Sequence, residues 1–287
     1  FMYPENGVYY FKPEYDTQRK LSEYFKKNPS NGVEDKLISL AANVLFLQEF
    51  NGNDYVYHPR FNIQKTDSYK YLSDWEKKQL SDLYVDYFFK RQDGLWYQKA
   101  MEKLPMLLTA TDMLICGEDL GLVPECVPGV MDKLGITALK VQRSPKENVP
   151  YYDPQSASYM NVVTASSHDS STLRQWWKEN RELTQHYFNN QLKQFGTAPS
   201  ELMPELAEII MKQHLHSEAM LAIFPIQEYF ATDYEIVNPY ADDERINNPA
   251  VFPHYWRYRM HISLEELLEK ESFNQKIAHF VSESGRL

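Results

Sequence analysis

The chain is poor in cysteine, in glycine and in long apolar runs. Two cysteines, Cys116 and Cys126, are too few for a disulfide framework, so we interpret them as reduced thiols of a cytoplasmic protein, with one disulfide between them left open. Ten glycines in 287 residues provide no glycine-rich phosphate loop. No apolar run approaches the roughly 20 residues that cross a bilayer, and the first residues do not resemble a signal peptide. These absences predict a globular, soluble protein without membrane association.

Positive charge is also scarce. The sequence has 30 Lys and Arg against 40 Asp and Glu, a formal net charge of −10 at pH 7. A negative net charge repels nucleic-acid phosphates, and the sequence has no local basic cluster that would reverse this repulsion. We therefore expect no nucleic acid as a partner. Aromatic residues are plentiful instead, at 14% of the chain. Because aromatic rings stack on the apolar faces of sugars, the composition suits a neutral carbohydrate partner, although most of the rings will serve the core.

Residues 1–108 carry mainly helical patterns. An apolar patch over residues 37–46 repeats at spacings of three and four, as one face of a helix does. Apolar residues over 73–108 predict two helices that are broken near Asp93-Gly94. We therefore predict that residues 1–108 form a mostly helical insertion or subdomain, appended to the part of the chain that follows.

Residues 109–287 alternate between strand-like and helix-like patterns. The predicted strands are Met113–Cys116, Ile136–Val141, Tyr159–Thr164 and Leu221–Ile226. The first is an unbroken apolar run, which is typical of a strand buried on both faces of a parallel sheet. This alternation implies parallel pairing with right-handed crossovers. Four strands are half of an eight-stranded barrel, so either the other half lies outside this chain or the fold is a smaller open α/β sheet.

Local signals define several of the helices between and after these strands. A short helix over residues 127–134 is closed by Gly135, and another begins near Leu173 and carries two tryptophans. Ser263 and Glu266 have the spacing of a capping box at the start of a later helix. The last apolar stretch ends at Gly285. These signals place the helix ends independently of the strand pattern.

Two acidic motifs follow predicted strands, Cys116–Gly121 and Ser166–Ser171. In (β/α)8 barrels, catalytic residues lie where the strands end. Glu118 is a candidate general acid, because partial desolvation there would keep a proton available for a leaving-group oxygen; the alternative is a solvated loop acid. Asp169 is either the cap of the next helix or a carboxylate that binds sugar hydroxyls and stabilises an oxocarbenium-like transition state. His168 could donate a hydrogen bond to a neighbouring sugar hydroxyl.

Other polar groups are less promising as sites. Asp119 should point away from Glu118, because side chains alternate along an extended chain, and we interpret it as structural. His214 and His216 lie two residues apart near a helix end, on different faces and without a carboxylate at ligand spacing. We therefore predict no metal site.

Five separated motifs carry a resemblance to a known family: Cys116–Pro124, Ser167–Trp177, Ala222–Gln227, Glu244–Pro249 and His254–Arg259. In this order they resemble the amylomaltases, the 4-α-glucanotransferases of glycoside hydrolase family 77, and are most similar to plant cytosolic members and their bacterial relatives. Further similarity at Tyr57–Asn62, Gly94–Trp96 and Ser284–Arg286 extends the resemblance over essentially the whole chain.

The resemblance implies roles for individual residues. Glu118 matches the general acid/base, and Asp169 with His168 matches the pair that stabilises the transition state. Residues expected near the sugar subsites are Gln227, Arg245, Asn247 and Asn248, with Trp96 as a candidate stacking platform. The family nucleophile is an Asp in an Arg-x-Asp-His segment that ends the fourth barrel strand, and no such segment occurs in this sequence.

The resemblance also implies the fold and the reaction. It predicts the C-terminal half of a (β/α)8 TIM-type barrel, with residues 109–287 supplying its last strands and helices. The implied reaction is retaining transfer between α-1,4-glucans, with maltose, maltooligosaccharides and a glycogen-like polymer as partners and no metal or organic cofactor. Because the nucleophile is absent, we expect this chain by itself to be inactive. A half barrel would expose two strand edges, so we also expect self-association or a covering partner segment.

Two other functions stay open at this stage. An inverting α-glucan hydrolase could use Glu118 and Asp169 as its own pair, roughly 10 Å apart if one strand separates theirs at about 4.8 Å per step. A catalytically inactive fragment could still bind glucans through its aromatic surface, with Trp96 among the rings involved. The configuration of a released sugar separates the hydrolase from the transferase.

Overall fold

The structure is a computed structural model that describes residues 1–30, 32–118, 121, 123–145, 148–254 and 256–286. The chain divides into two compact units, Phe1–Leu95 and Trp96–Leu287. Each unit buries a hydrophobic core of its own. Across the described ranges, no helix is both long enough and apolar enough to span a membrane.

The first unit combines two β-hairpins with short and medium helices. Its elements are β1 (Met2–Glu5), β2 (Val8–Phe11), α1 (Gln18–Lys27), α2 (Val33–Ala41), β3 (Phe46–Phe50), β4 (Tyr55–Pro59), α3 (Asp67–Lys70) and α4 (Asp74–Phe89). Both hairpins are antiparallel. Asn6 and Gly7 join β1 to β2 with φ angles of 51° and 79°, and two positive φ angles in a two-residue loop match the twist of a hairpin.

The single helix expected over residues 37–46 is wrong beyond Ala41. The helix α2 ends there, and Phe46 begins β3, whose residues pair with β4 in the register Phe46↔Pro59. The apolar spacing fits a helix, but the backbone hydrogen bonds of residues 46–50 are made across the hairpin instead. Pairing with a neighbouring strand therefore overrides the local pattern.

The second unit is built on a four-stranded parallel sheet in the order β5-β6-β7-β8. The strands are β5 (Cys116–Gly117), β6 (Thr137–Val141), β7 (Asn161–Thr164) and β8 (Leu221–Ala222). Every pair is parallel, with Gly117 opposite Ala138 and Val163 opposite both Lys140 and Ala222. The four predicted strands and their parallel order are confirmed, although β5 and β8 are shorter than predicted.

Helices follow the strands, as the alternation predicts. The helix before β5 is α5 (Asp93–Thr109), and the helices after the strands are α6 (Cys126–Leu134), α7 (Leu173–Glu179), α8 (Arg181–Asn190), α9 (Pro204–Leu215), α10 (Ile226–Phe230), α11 (Leu264–Glu269) and α12 (Glu271–Glu283). Gly135 ends α6 in the left-handed region at φ 66°, and Ser263 and Glu266 form the predicted capping box of α11. The predicted break before α5 is confirmed, since α4 ends at Phe89.

The main core of the second unit lies between the sheet and helices α7 to α9. Trp177 and Tyr187 are fully buried there, and the indole Nε1 of Trp177 donates a hydrogen bond to Pro199 O at 3.0 Å. Ile210 of α9 packs in the same cluster. Large rings thus serve packing in this unit, as expected for most of the aromatic residues.

The expected burial of the first predicted strand is wrong. Met113 is 75% exposed, and Leu114 is also exposed. The strand β5 pairs only with β6, so one of its edges carries no partner among the described residues. An edge strand with two paired residues leaves its apolar neighbours open to solvent, whereas β6 and β7 are paired on both sides.

Truncation inside this core should be costly. We expect Ile210→Ala to lower the free energy of unfolding by about 2–5 kcal/mol, because it leaves a cavity at a residue with 0% exposure. The matched control is Leu268→Ala on α11, where the side chain is 78% exposed and the change should stay within about 0.5 kcal/mol. Urea unfolding of both variants gives the comparison, and equal losses would contradict the core described here.

Candidate active site

The two candidate carboxylates lie at the same edge of the parallel sheet. Glu118 follows β5 directly, and Asp169 follows β7 after five residues. One strand, β6, separates them, so their strands are roughly 10 Å apart at about 4.8 Å per step. The carboxyl ends of parallel strands are where α/β folds place their chemistry.

Glu118 is positioned by the glycine before it. A Cβ at Gly117 would lie 2.7 Å from Met131 Cε and 3.1 Å from Ile136 Cγ2, so a larger residue here would require these two side chains to shift. The side chain of Glu118 is exposed. The desolvation expected from the sequence is therefore not supplied by the described residues. Asp119, expected to be structural, lies outside them.

Asp169 is held by a side chain from far along the chain. Asn247 Nδ2 donates to Asp169 Oδ1 at 2.6 Å, and Asp169 Oδ2 lies 3.4 Å from His168 Nε2. The Asp169 side chain is still 51% exposed. A carboxylate has about four acceptor positions, so Asp169 keeps free acceptor capacity toward solvent or a ligand.

Asp169 is not the cap of the following helix. The N-cap of α7 is Thr172, whose backbone N–H donates to Gln175 Oε1 at 3.1 Å as part of a capping box. Asp169 lies three residues before this N-cap, in a tight turn in which Ser170 N donates to Ser167 O at 3.2 Å. The helix-cap interpretation of Asp169 is therefore wrong.

An aromatic ring completes the surroundings of His168. Trp256 lies against it with ring centroids 5.2 Å apart at an interplanar angle of 39°, and the indole remains exposed. The sequence argument passed over Trp256, although it stands in the motif His254–Arg259. An exposed indole beside a carboxylate and an imidazole is a surface on which a sugar ring can stack.

The segment Arg245–Asn247 is bound to the same loop. Asn247 N donates to His168 O at 3.1 Å, and Arg245 Nε donates to Asn247 O at 2.9 Å. Hydrogen bonds therefore link Arg245 and Asn247 to the loop that carries Asp169. Asn248 differs, because its Oδ1 accepts from Ala250 N at 3.2 Å in a local turn.

Gln227 and Trp96 lie apart from this cluster. Gln227 is only 1% exposed, and its Nε2 donates to Glu244 O at 2.9 Å. Its side chain therefore supports the backbone just before Arg245. Trp96 on α5 is exposed and makes no ring contact with the Asp169 cluster in the described part of the chain. Over the same ranges, no three His, Cys, Asp or Glu side chains converge as metal ligands do.

Two buried carboxylates contact the ends of the loop that carries Asp169 and the start of α7, and sequence reasoning missed both. Glu228 on α10 is 3% exposed and accepts hydrogen bonds from Ser166 Oγ and from Leu173 N at 3.0 Å. Glu244 accepts from Thr172 Oγ1 at 2.9 Å and forms an ion pair with Arg174. The sequence held a signal for Glu228, which directly follows the apolar motif Ala222–Gln227, since an acid at such a position is expected to be buried.

Burial governs the protonation of these two acids. Desolvation raises the pKa of Glu228 to about 7, and the nearby Glu244 adds to this, while the bonds from Ser166 and Leu173 and the charge of Arg143 oppose it. The pKa of Glu244 is also raised by desolvation, against the opposing effect of Arg174. A carboxylic acid in this region is therefore protonated over part of the neutral range.

The family described as 4-alpha-glucanotransferase, glycoside hydrolase 77, matches residues 13–265 of the chain. A protein of rice (Oryza sativa subsp. japonica) described as 4-alpha-glucanotransferase DPE2 is 38% identical over 287 residues, 97% of this chain and 30% of the rice protein. A 4-alpha-glucanotransferase of Chlamydia caviae is 34% identical over 187 residues, 62% of this chain and 34% of that protein.

Among solved structures, an amylomaltase from Streptococcus agalactiae in complex with acarbose is similar over 65% of this chain and 35% of its own. The sequence identity is 16% and the TM-score 0.49. The chain spans about a third of the length of the curated relatives that it matches.

The protonation of Glu228 should make stability depend on pH. Its folded-state pKa of about 7 exceeds the ordinary 4.5, so the folded state binds the extra proton and the free energy of unfolding falls as pH rises through about 7. Between pH 4.5 and 8, the free energy of unfolding should decrease by up to about 3 kcal/mol less in Glu228→Gln than in the wild type. Urea unfolding across this range measures it. The exposed Glu182→Gln serves as control, and an unchanged pH dependence in Glu228→Gln would contradict the assignment.

Proposed function

The chain belongs to the 4-α-glucanotransferases of glycoside hydrolase family 77, and on this premise we propose that it supplies two carboxylates to the transfer of glucosyl or maltooligosaccharyl units between α-1,4-glucans. The observation that carries the proposal is the arrangement around Asp169. Asn247 holds this half-exposed carboxylate beside His168 and Trp256, at the sheet edge where Glu118 also lies. These groups suit the recognition of a sugar ring whose charge develops during reaction.

Glu118 is proposed as the general acid and base. In the first step, an aspartate nucleophile attacks the anomeric carbon, the bond to the leaving oxygen breaks, and Glu118 gives its proton to that oxygen. In the second step, the hydroxyl of an acceptor glucan attacks the covalent glucosyl ester and Glu118 takes its proton. Two inversions retain the anomeric configuration, and the acceptor takes the place of water.

Asp169 is proposed as the carboxylate that stabilises the transition state. Its free acceptor positions can bind two hydroxyls of the distorted sugar, and those bonds strengthen as positive charge develops on the ring. His168 would donate to a neighbouring hydroxyl. Asn247 supports this role because its amide keeps one oxygen of Asp169 in a fixed place.

The remaining sugar contacts are proposed from their places in the structure. Trp256 is proposed as a stacking surface beside Asp169, and Trp96 as a more distant one. Arg245 and Asn248 are proposed to approach the sugar from the segment that Asn247 anchors. Because Gln227 is buried, we propose that it acts by supporting the chain at Glu244 and not by touching the sugar.

The nucleophile is proposed to come from polypeptide outside these 287 residues. The family segment Arg-x-Asp-His does not occur in this sequence. We propose that the sheet β5 to β8, within residues 109–287, forms the C-terminal half of a (β/α)8 barrel, and that residues 1–108 form an insertion. One edge of β5 has no partner strand among the residues that the structure describes, which supports this proposal, since additional strands would cover it. Without them, exposed Met113 and Leu114 would favour self-association.

An inverting α-glucan hydrolase is the second candidate. It is supported by the single strand between Glu118 and Asp169, which gives a spacing near the range of about 6.5–9.5 Å that inverting carboxyl pairs use. Such an enzyme would need no further nucleophile. It would release sugar of inverted configuration without requiring an acceptor glucan.

Glucose release from maltose distinguishes these functions. We expect the chain by itself to release no glucose. Glucose should be released, with glycogen as acceptor, only when polypeptide with the Arg-x-Asp-His segment is added. Glu118→Gln should abolish this release because the leaving oxygen can no longer be protonated. Enzyme-coupled glucose detection measures the rate, and the anomer is read by proton NMR.

Each other outcome of this assay has a definite meaning. Acceptor-independent release of inverted sugar by the chain alone would establish the hydrolase. Retained-anomer transfer by the chain alone would refute the assignment of the nucleophile to another segment. Saturable maltooligosaccharide binding without turnover in any mixture would leave only a glucan-binding function.

Loss of the amide that holds Asp169 should weaken transfer in the complemented enzyme. We expect Asn247→Ala to lower kcat/KM about 10- to 100-fold, since a hydrogen bond to a charged group is worth about 1.5–3 kcal/mol. The matched control is Asn190→Ala, an exposed asparagine on α8 whose amide donates to His186 O at 2.9 Å. Equal kinetics in both variants would show that Asn247 does not support Asp169 during reaction.

A further inference from the structure

The loop that carries Asp169 is tied at both ends to one buried side chain. This Asp169 loop, defined as Ser166–Leu173, runs from just after β7 to the first residue of α7. Ser166 Oγ donates to Glu228 Oε1, and Leu173 N donates to the same oxygen at 3.0 Å and to Oε2 at 3.3 Å. One carboxylate therefore closes the loop as a clamp across its base.

The clamp belongs to a different part of the chain from the loop. Glu228 lies on α10, which begins four residues after β8, and its partners are 55 and 62 residues away along the chain. The bond therefore joins the ends of two parallel strands, β7 and β8. It fixes the loop relative to the sheet and not only within itself.

The charges facing Glu228 do not replace this clamp. Glu244 lies near enough to repel it, and Arg143 to attract it. Arg143 donates to Ser171 O at 2.7 Å and pairs with Glu179, so its guanidinium is engaged within the loop and α7. A buried carboxylate is stable only with hydrogen-bond donors, and those of Glu228 come from the two loop ends.

We propose that Glu228 is a positioning residue for Asp169, acting by holding Ser166 and Leu173 together so that the loop presents the Asp169 carboxylate at the strand ends. The proposal rests on the proposed function for the role of Asp169, while the clamp itself is a property of the fold. Glu228 is too deeply buried to touch a glucan. It acts on the reaction only through the place of the loop.

Asn247 depends on the same clamp. Its backbone N–H and side-chain amide both bind the middle of the loop, at His168 O and Asp169 Oδ1. These two bonds can persist only while the loop keeps its shape. Release of the loop ends should therefore loosen Asn247 as well, although Glu228 and Asn247 lie on different segments.

Hydrogen exchange on the whole chain tests the clamp without any need for turnover. In Glu228→Ala we expect the amides of Leu173 and Asn247 to exchange about tenfold faster or more, while amides of α9 keep their wild-type rates. Glu228→Gln retains an acceptor oxygen and should restore slow exchange. Tyr187→Phe is the matched control, because it removes another buried hydrogen bond, to Gln142 Oε1, outside the loop.

The second measurement is the dissociation constant for maltotriose. Glu228→Ala should weaken binding at least about tenfold and Glu228→Gln should preserve it, whereas Asp169→Asn tests the proposed function itself. If Asp169→Asn leaves binding unchanged, the role of Asp169 fails while the exchange data still decide on the clamp. Faster exchange spread evenly over the second unit, or unchanged exchange at Leu173 and Asn247, would overturn the clamp.

A variant that folds poorly does not remove the test. Should Glu228→Ala not fold, Ser166→Ala removes one of the two ties and leaves the carboxylate in place. It should speed exchange at the amide of Asn247 while Leu173 N keeps its acceptor. Wild-type rates at Asn247 in Ser166→Ala, with wild-type binding of maltotriose, would overturn the proposal.

Discussion

Parallel pairing of β5 to β8 is the constraint on which the candidate site depends. Because all four strands run the same way, their carboxyl ends meet at one edge, and residues separated by about fifty positions come together there. Glu118 and Asp169 reach this edge from strands on either side of β6. The segment with Asn247 then closes over the end of β7 through bonds to His168 and Asp169.

The carboxylates near that edge differ in burial, and the cost of burying a charge determines which of them need hydrogen-bond donors from the protein. Glu228 and Glu244 are buried, so each must find donors, and they find them in the loop after β7 and in Arg174. Asp169 stays half exposed and keeps acceptor positions for a ligand. The buried carboxylates thus hold the backbone of this region, while the exposed one keeps acceptor positions open to solvent.

Local signals predicted much of the second unit. Gly135 ends α6, Ser263 and Glu266 cap α11, and the strands β6 and β7 follow their apolar runs, because each depends on a few neighbouring residues. The same reasoning failed where distant pairing decides. Phe46 lies in a hairpin strand and not in a helix, and the apolar run before Cys116 is exposed because β5 is an edge strand.

The sequence by itself determined the order of strands and helices in the second unit, the acids that follow β5 and β7, and the family to which the chain belongs. Only the tertiary structure decided that Asn247 holds Asp169, that Trp256 lies on His168 and that Glu228 closes the loop after β7. Helix caps and apolar periods are set by residues a few positions apart. A carboxylate's partners 55 to 78 residues away are set by the packing of the strands that carry them.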